Sequence, residues 1–213
     1  MNSSGIESVL NSIPSYSFEL GLNLKSKDDR FKWFIASILF AKRISSKIAS
    51  KTFRVFVERG LTTPRAILNA GWNSIVEVLD EGGYVRYDFS TATNIIENMK
   101  ILMEKYHGDI DSIHEYASDE RDLEARLMEF RGFGPVAINI FLRELRDIWS
   151  KAKPKPSKYA VNVALKVGLN QDLLERYESQ LVRVFIEYCK RGFCDKCPLS
   201  KYCSSKSVNP FKP

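Results

Sequence analysis

All four cysteines of the chain fall in one short window, Cys189, Cys194, Cys197 and Cys203, spaced C-x4-C-x2-C-x5-C. Thiolates are the soft, charged donors that iron-sulfur clusters and structural zinc select, and a compact run gathers four of them at little loop-closure cost. The window therefore points to one metal ion or cluster held by four thiolates. Cysteine used as a small apolar core residue would be scattered, and none of the preceding 188 positions carries one. Two disulfides are the alternative reading. They need an oxidising compartment, and the opening residues Met-Asn-Ser-Ser-Gly-Ile-Glu-Ser lack the basic start and apolar stretch of a secretory signal.

A second element is suited to holding an anion. In Leu127-Met-Glu-Phe-Arg-Gly132-Phe-Gly134-Pro-Val-Ala-Ile-Asn-Ile-Phe-Leu142, two amphipathic segments meet at Gly-Phe-Gly, with proline at the first position of the second helix. The glycines permit a tight turn, and Phe133 between them can turn inward as an apolar plug. The amides of Gly134, Val136 and Ala137 would then point out of a helix N-terminus, where N–H groups and the helix dipole bind a phosphate without regard to base sequence. A plain helical hairpin would use the same residues.

Charge agrees with an anionic partner. The 213 residues carry a formal net charge of +6, with a pI near 9.1. The charge is grouped: Lys42, Arg43, Lys47, Lys51 and Arg54 in one segment, Lys151, Lys153, Lys155 and Lys158 in another, and Lys190, Arg191, Lys196, Lys201 and Lys206 around the cysteines. One basic patch is often only a solvated face; three of them beside distinctive motifs argue for a polyanion.

The elements that must position these residues read as helices. Trp33, Phe34, Ile38, Ala41, Ile44, Ile48, Phe53 and Phe56 recur at three- and four-residue steps, interrupted near Arg43 to Ser46. Thr62-Thr63-Pro64 opens a helix over 62–70, Gly71 separates it from another at 73–80, and Ser90 caps one that runs to about Tyr106. Further helices are expected at 119–130, 135–149, 160–168 and 172–188. No segment alternates as a sheet strand does, so the fold class is all-α. The stretch 151–158 is the clearest linker, because its two prolines exclude helix and its lysines exclude core. No run approaches the roughly eighteen apolar residues that span a bilayer, so a membrane role is not expected and the chain reads as soluble and intracellular.

Taken together, the hairpin and the terminal cysteines resemble the helix-hairpin-helix DNA glycosylases of the endonuclease III type, from about residue 30 to Cys203. Leu39-Phe-Ala-Lys-Arg-Ile-Ser45 is similar to the family's Leu-Ser-Ala-Gln-Ala-Thr-Asp element, whose glutamine fills the gap left by an extruded base; Lys42 stands in its place. Gly82-Gly83-Tyr84 is similar to the Ile-Gly-Leu-Tyr loop that wedges into the duplex, with Tyr84 at the leucine. The cysteine run resembles the family's C-x6-C-x2-C-x5-C, two residues shorter in its first spacing.

The resemblance implies a two-lobed helical fold: 30–135 as a central barrel-like lobe, and 1–29 with 136–213 as a second lobe holding the hairpin's exit helix and the cluster loop at 189–203. It implies a 4Fe-4S cluster on Cys189, Cys194, Cys197 and Cys203, with zinc as the alternative. It also implies a monomeric hydrolase of the cytoplasm or nucleoid, excising bases from damaged or mismatched double-stranded DNA. Lys42, Arg43, Tyr84, Arg86, Gly132, Gly134 and Val136 would contact the DNA.

Two departures concern the chemistry. Family members with lyase activity carry a lysine two positions after the second glycine, where this chain has Val136, which offers no nucleophile. The family's Ala-Val-Asp-Thr-His aspartate aligns with Asn162 in Tyr159-Ala-Val-Asn-Val, which is neutral and suited to capping a helix that begins near Val163. Asp147 and Asp88 are the nearest alternative acids, and the loop from Tyr84 to Ser90, rich in rings and charge, is a plausible pocket lining. The alternative function is a non-catalytic protein that binds lesions or DNA structures on the same fold.

Overall fold

The computed structural model describes residues 3–204, and every regular element among them is helical. Two short helices, α1 (Ser3–Asn11) and α2 (Tyr16–Glu19), open the chain. There follow α3 (Lys27–Phe40), α4 (Ser46–Glu58), α5 (Pro64–Gly82), α6 (Asp88–Tyr106), α7 (Asp111–Tyr116), α8 (Glu120–Met128) and α9 (Pro135–Arg143). The last three are α10 (Lys158–Val167), α11 (Gln171–Arg176) and α12 (Glu178–Glu187), after which the cysteine segment forms the 3-10 turns Cys189–Arg191 and Cys194–Lys196. No helix among the described residues is long and apolar enough to cross a membrane.

The chain divides into two compact units, Leu20–Pro154 and Met1–Glu19 with Lys155–Pro213. The divisions differ from the expected 30 and 135: residues 20–29 and the hairpin's exit helix α9 belong to the larger unit. Packing explains α9's place. Its residues Ile138, Phe141 and Leu142 are buried, and the Phe141 carbonyl accepts a 3.2 Å hydrogen bond from the Trp33 indole on α3.

Local chemistry sets the helix ends. The Thr63 hydroxyl accepts from the Ala66 amide at 3.1 Å with Pro64 in the first turn of α5, and Ser45 does the same for α4 through Ile48 at 3.2 Å. The two helices expected at 62–70 and 73–80 are one bent helix, α5, non-helical only at Gly71 (φ 77°, ψ 171°). Beyond Arg143 the chain leaves the helix for tight turns, with Leu145 N donating to Leu142 O and Ile148 N to Leu145 O, so α9 is shorter than the expected 135–149. The expected 172–188 helix is two, α11 and α12, with Tyr177 between them.

The core of the larger unit centres on Phe34. Its ring stacks on Phe133 at 4.7 Å and meets Phe130 and Phe141 edge-on at 5.2 and 5.7 Å. The smaller unit packs Ile6 and Leu10 of α1 with Val163, Val167, Leu181, Phe185 and Leu199. The proline-rich linker has no regular structure over 152–157, yet it is fastened: Arg146 Nη2 donates to Pro154 O at 3.0 Å, Lys151 Nζ to His114 O at 2.9 Å, and Ala152 is buried. Lys153, Lys155 and Lys158 are exposed, while Ala152 and Pro154 are buried.

Candidate nucleic-acid interface and thiolate loop

The α8–α9 hairpin is positioned by its glycines and its plug. Gly132 sits at φ 73°, a left-handed conformation that costs a residue with a side chain about 1–2 kcal/mol, and a Cβ there would come within 2.7 Å of Asn94 Nδ2. Phe133 is 1% exposed. Asn98 of α6, itself fully buried, clamps the turn by accepting from the Arg131 amide at 2.6 Å and donating to the Arg131 carbonyl at 3.0 Å. Gly134 is then the extended N-cap of α9 with Pro135 at its first position, so the amides of Val136 and Ala137 lie in a first turn, which offers them no internal acceptor. Val136 stands 61% exposed beside them while Ala137 is buried. A phosphate oxygen is the complement of such a turn.

The two loops expected to enter DNA lie side by side in the same unit. Gly82 makes this possible, because a Cβ there would fall 2.5 Å from the Thr52 Cα, and its absence lets α4 and α5 touch backbone to backbone. Lys51 Nζ donates to Glu81 O at 2.8 Å near this crossing. Tyr84 then reaches under the turn at 41–45 and donates its hydroxyl proton to Leu39 O at 2.8 Å. It is fully buried, and burial pushes its phenol well above the ordinary tyrosine range. Tyr84 is therefore not the residue that projects into a duplex: it is the peg that joins the two loops. Val85, 63% exposed, and the exposed Arg86 occupy the loop's outer side, with the Arg86 guanidinium 5.4 Å from the Tyr87 ring centre. Across from them Lys42 is half-buried and Arg43 exposed in the bend between α3 and α4.

The three candidate catalytic residues stand in different local settings. Asp147 is exposed in the turns after α9. Asp88 opens α6 instead of lying in an extended loop, and its Oδ1 accepts from the Phe89 amide at 2.6 Å. Its carboxyl neighbours Asp80, whose own carboxyl is held above the usual range by partial desolvation and then by Asp88. Asn162 does not cap a helix, since α10 begins four residues earlier at Lys158 under the Ser157 cap. Its Oδ1 is buried without a partner. Asn162 belongs to the smaller unit, Asp88 and Asp147 to the larger.

None of the four cysteines is in a disulfide; Cys189, Cys197 and Cys203 are half-buried against the smaller unit's core and Cys194 is exposed. Burial pushes the Cys189 thiol up, opposed by Lys166, and the charges of Cys197, Cys203 and Cys194 add to the rise. Cys197 is raised by burial and then by Cys203 and Cys194. As placed, no three His, Cys, Asp or Glu side chains among the described residues are gathered as ligands of one metal ion. A bound cation would favour the thiolate forms and draw the four sulfurs together. The donor set fits a four-thiolate group: soft, outside any disulfide, partly shielded from water, and contributed by two short turns and the loop that follows them.

A comparison of the chain with protein-family models gives no match, and a comparison with curated protein sequences gives none.

Proposed function

We propose that this protein is a DNA base-excision glycosylase of the endonuclease III class, hydrolysing the bond between a damaged base and its sugar without lysine-dependent lyase chemistry. The α8–α9 hairpin carries the reading: a left-handed Gly132, a buried Phe133 and a proline-started α9 leave an amide-lined helix end beside an exposed Val136. A phosphate oxygen is the complement of that helix end, and the exposed Val136 leaves it open to one. The adjoining loops with Lys42, Arg43, Val85 and Arg86 supply charge and an apolar tip of a size to enter a vacated base position.

In the reaction, water adds its oxygen to C1′ as the N-glycosidic bond breaks, and the base leaves with a proton. Val136 supplies no amine for a Schiff base, so the product is an intact abasic strand. The four thiolates would hold a 4Fe-4S cluster, with zinc as the alternative, and its part is to order the basic loop between Cys189 and Cys203. A second reading, lesion-selective binding without catalysis, is favoured by the neutral Asn162 at the position of the family's aspartate.

Val136→Glu tests the interface. A carboxylate in the first turn suits the helix dipole and the site is exposed, so the thermal midpoint should hold. Against a phosphate it is repulsive, and duplex affinity should fall at least about tenfold at low salt. Wild-type affinity should itself drop steeply with added salt. Equal affinity of variant and wild type would remove the hairpin from the interface.

A further inference from the structure

An exposed pair of aromatic rings lies beside the loop of Val85 and Arg86. Of the three tryptophans in the chain, Trp33 and Trp149 are buried at 0% and 3%, whereas Trp72 is 40% exposed and Phe89 61%. The two rings stack at 5.6 Å between centroids, 27° from parallel. Trp72 follows the bend at Gly71 in α5, and Phe89 is the second residue of α6.

The pair is held in place by a short polar relay. Trp72 Nε1 donates to Thr93 Oγ1 at 3.0 Å, and the Thr93 hydroxyl donates to the Phe89 carbonyl at 2.9 Å. The indole's one polar group is therefore satisfied, its orientation is fixed, and an aromatic surface remains open to water. An arrangement that spends two hydrogen bonds to keep rings outside the core is pre-organised for a flat partner.

We infer that Trp72 and Phe89 form a stacking platform for one unpaired nucleobase, an inference that rests on the proposed DNA-directed function. Continuity and charge support this occupant. α6 begins with Phe89 and also braces the phosphate hairpin through Asn94 and Asn98, so platform and hairpin share one rigid helix, with Phe89 and Asn94 about 7.5 Å apart along its axis. Arg86 and, across the Tyr84 peg, Lys42 and Arg43 supply cations within reach of a backbone that delivers the base. Asp88, which precedes Phe89, accepts from its amide and has Asp80 as its own neighbour, disfavours a phosphate or an anionic lipid at that spot and suits a neutral base edge with amino protons. Two rings edged by the exposed residues Asn73, Ser90 and Thr93 fall far short of the roughly 800 Å² per partner of a stable protein interface. Stacking is indifferent to base identity because every base has a π face, so the platform would hold an extruded or neighbouring base without selecting it.

Trp72 is its own reporter, since the other two tryptophans are buried. The full-length protein is titrated with three DNAs of the same sequence: an intact duplex, a duplex with one bulged nucleotide, and a single strand. Affinity is read by anisotropy of labelled DNA, and exposure of Trp72 by acrylamide quenching. Bulged and single-stranded DNA should shield Trp72, and Phe89→Ala should weaken both by about 5- to 150-fold while changing intact-duplex affinity less than about twofold. Phe89→Leu, which keeps apolar packing but lacks a π face, should behave as the alanine variant does. Unchanged quenching, or equal affinity of wild type and both variants for the bulged DNA, overturns the platform and leaves the proposed function standing. Failure of the wild-type protein to bind any of the three DNAs overturns both.

Discussion

Replacing Phe133 with alanine is expected to lower the unfolding free energy by about 3–5 kcal/mol, the usual cost of emptying a buried aromatic site. The residue lies in a turn, where substitutions away from buried features change stability by less than about 0.5 kcal/mol. Its ring is nevertheless 1% exposed, stacked on Phe34 at 4.7 Å and edge-on to Phe141 at 5.8 Å, in the middle of the larger unit's core. Phe34 would lose a stacked neighbour, and the α8–α9 turn would lose what draws it against α3 and α6. The shift in urea midpoint at constant slope measures this directly. Phe133→Leu should retain most of the stability, at a cost of under about 1.5 kcal/mol. A shift for alanine as small as that of a surface residue would mean that the hairpin is held by its backbone alone.

The second large effect concerns the thiolates. A protein purified without oxygen should show a broad brown absorbance at about 400 nm. Cys197→Ser should lose that band and, with it, the order of the segment 189–203. Three of the four thiols are half-buried against a core that includes Phe185 and Leu199, so this loop has apolar anchors. Its outer residues Lys190, Arg191 and Lys196 are exposed, and a loop of two 3-10 turns has little backbone bonding to resist opening. Trypsin should therefore leave the loaded wild-type protein uncut there and cleave the variant after these residues. Equal resistance of both would show that the loop is ordered by Leu199 and its neighbours without any bound group. A zinc-loaded loop would give the same protection with no visible band.

Much of the architecture was legible because helices announce themselves by periodicity and caps. Thr63-Pro64, the Gly71 break and the two linker prolines each carry a backbone consequence that tertiary contacts had no reason to override. The inward turn of Phe133 followed from the glycines on either side. Periodicity does not reveal α2 and α7, since four and six residues give too few turns for a period to show. The end of α9 does not show in the sequence because apolar residues continue through Leu145, Ile148 and Trp149, and tight turns bury Leu145 and Trp149 as a helix would.

The site was harder to read than the fold. Nothing in Gly-Gly-Tyr-Val-Arg-Tyr says which side chain of an aperiodic loop goes inward. The answer depends on Leu39, whose carbonyl, 45 residues away, accepts the Tyr84 proton. Tyrosine could take the buried place because it finds that acceptor, and Val85 was left outside. Asparagine favours caps, but Ser157 claims that role for α10 and the helix runs on past Asn162. The stack of Trp72 on Phe89, which joins α5 just after its bend to the start of α6, could not be seen without the bend's geometry.

Base release from end-labelled duplexes tests the central claim most directly. Duplexes carrying uracil, hypoxanthine, oxidised guanine or alkylated adenine are incubated with the protein, and the products are divided between alkaline and neutral work-up. A DNA glycosylase without the lyase lysine should release at least one of these bases, giving strand breaks only after alkali, and borohydride should trap no covalent complex. No release from any of the lesions across the pH range, in a protein that still binds these duplexes, would contradict catalysis and leave lesion-selective binding as the function.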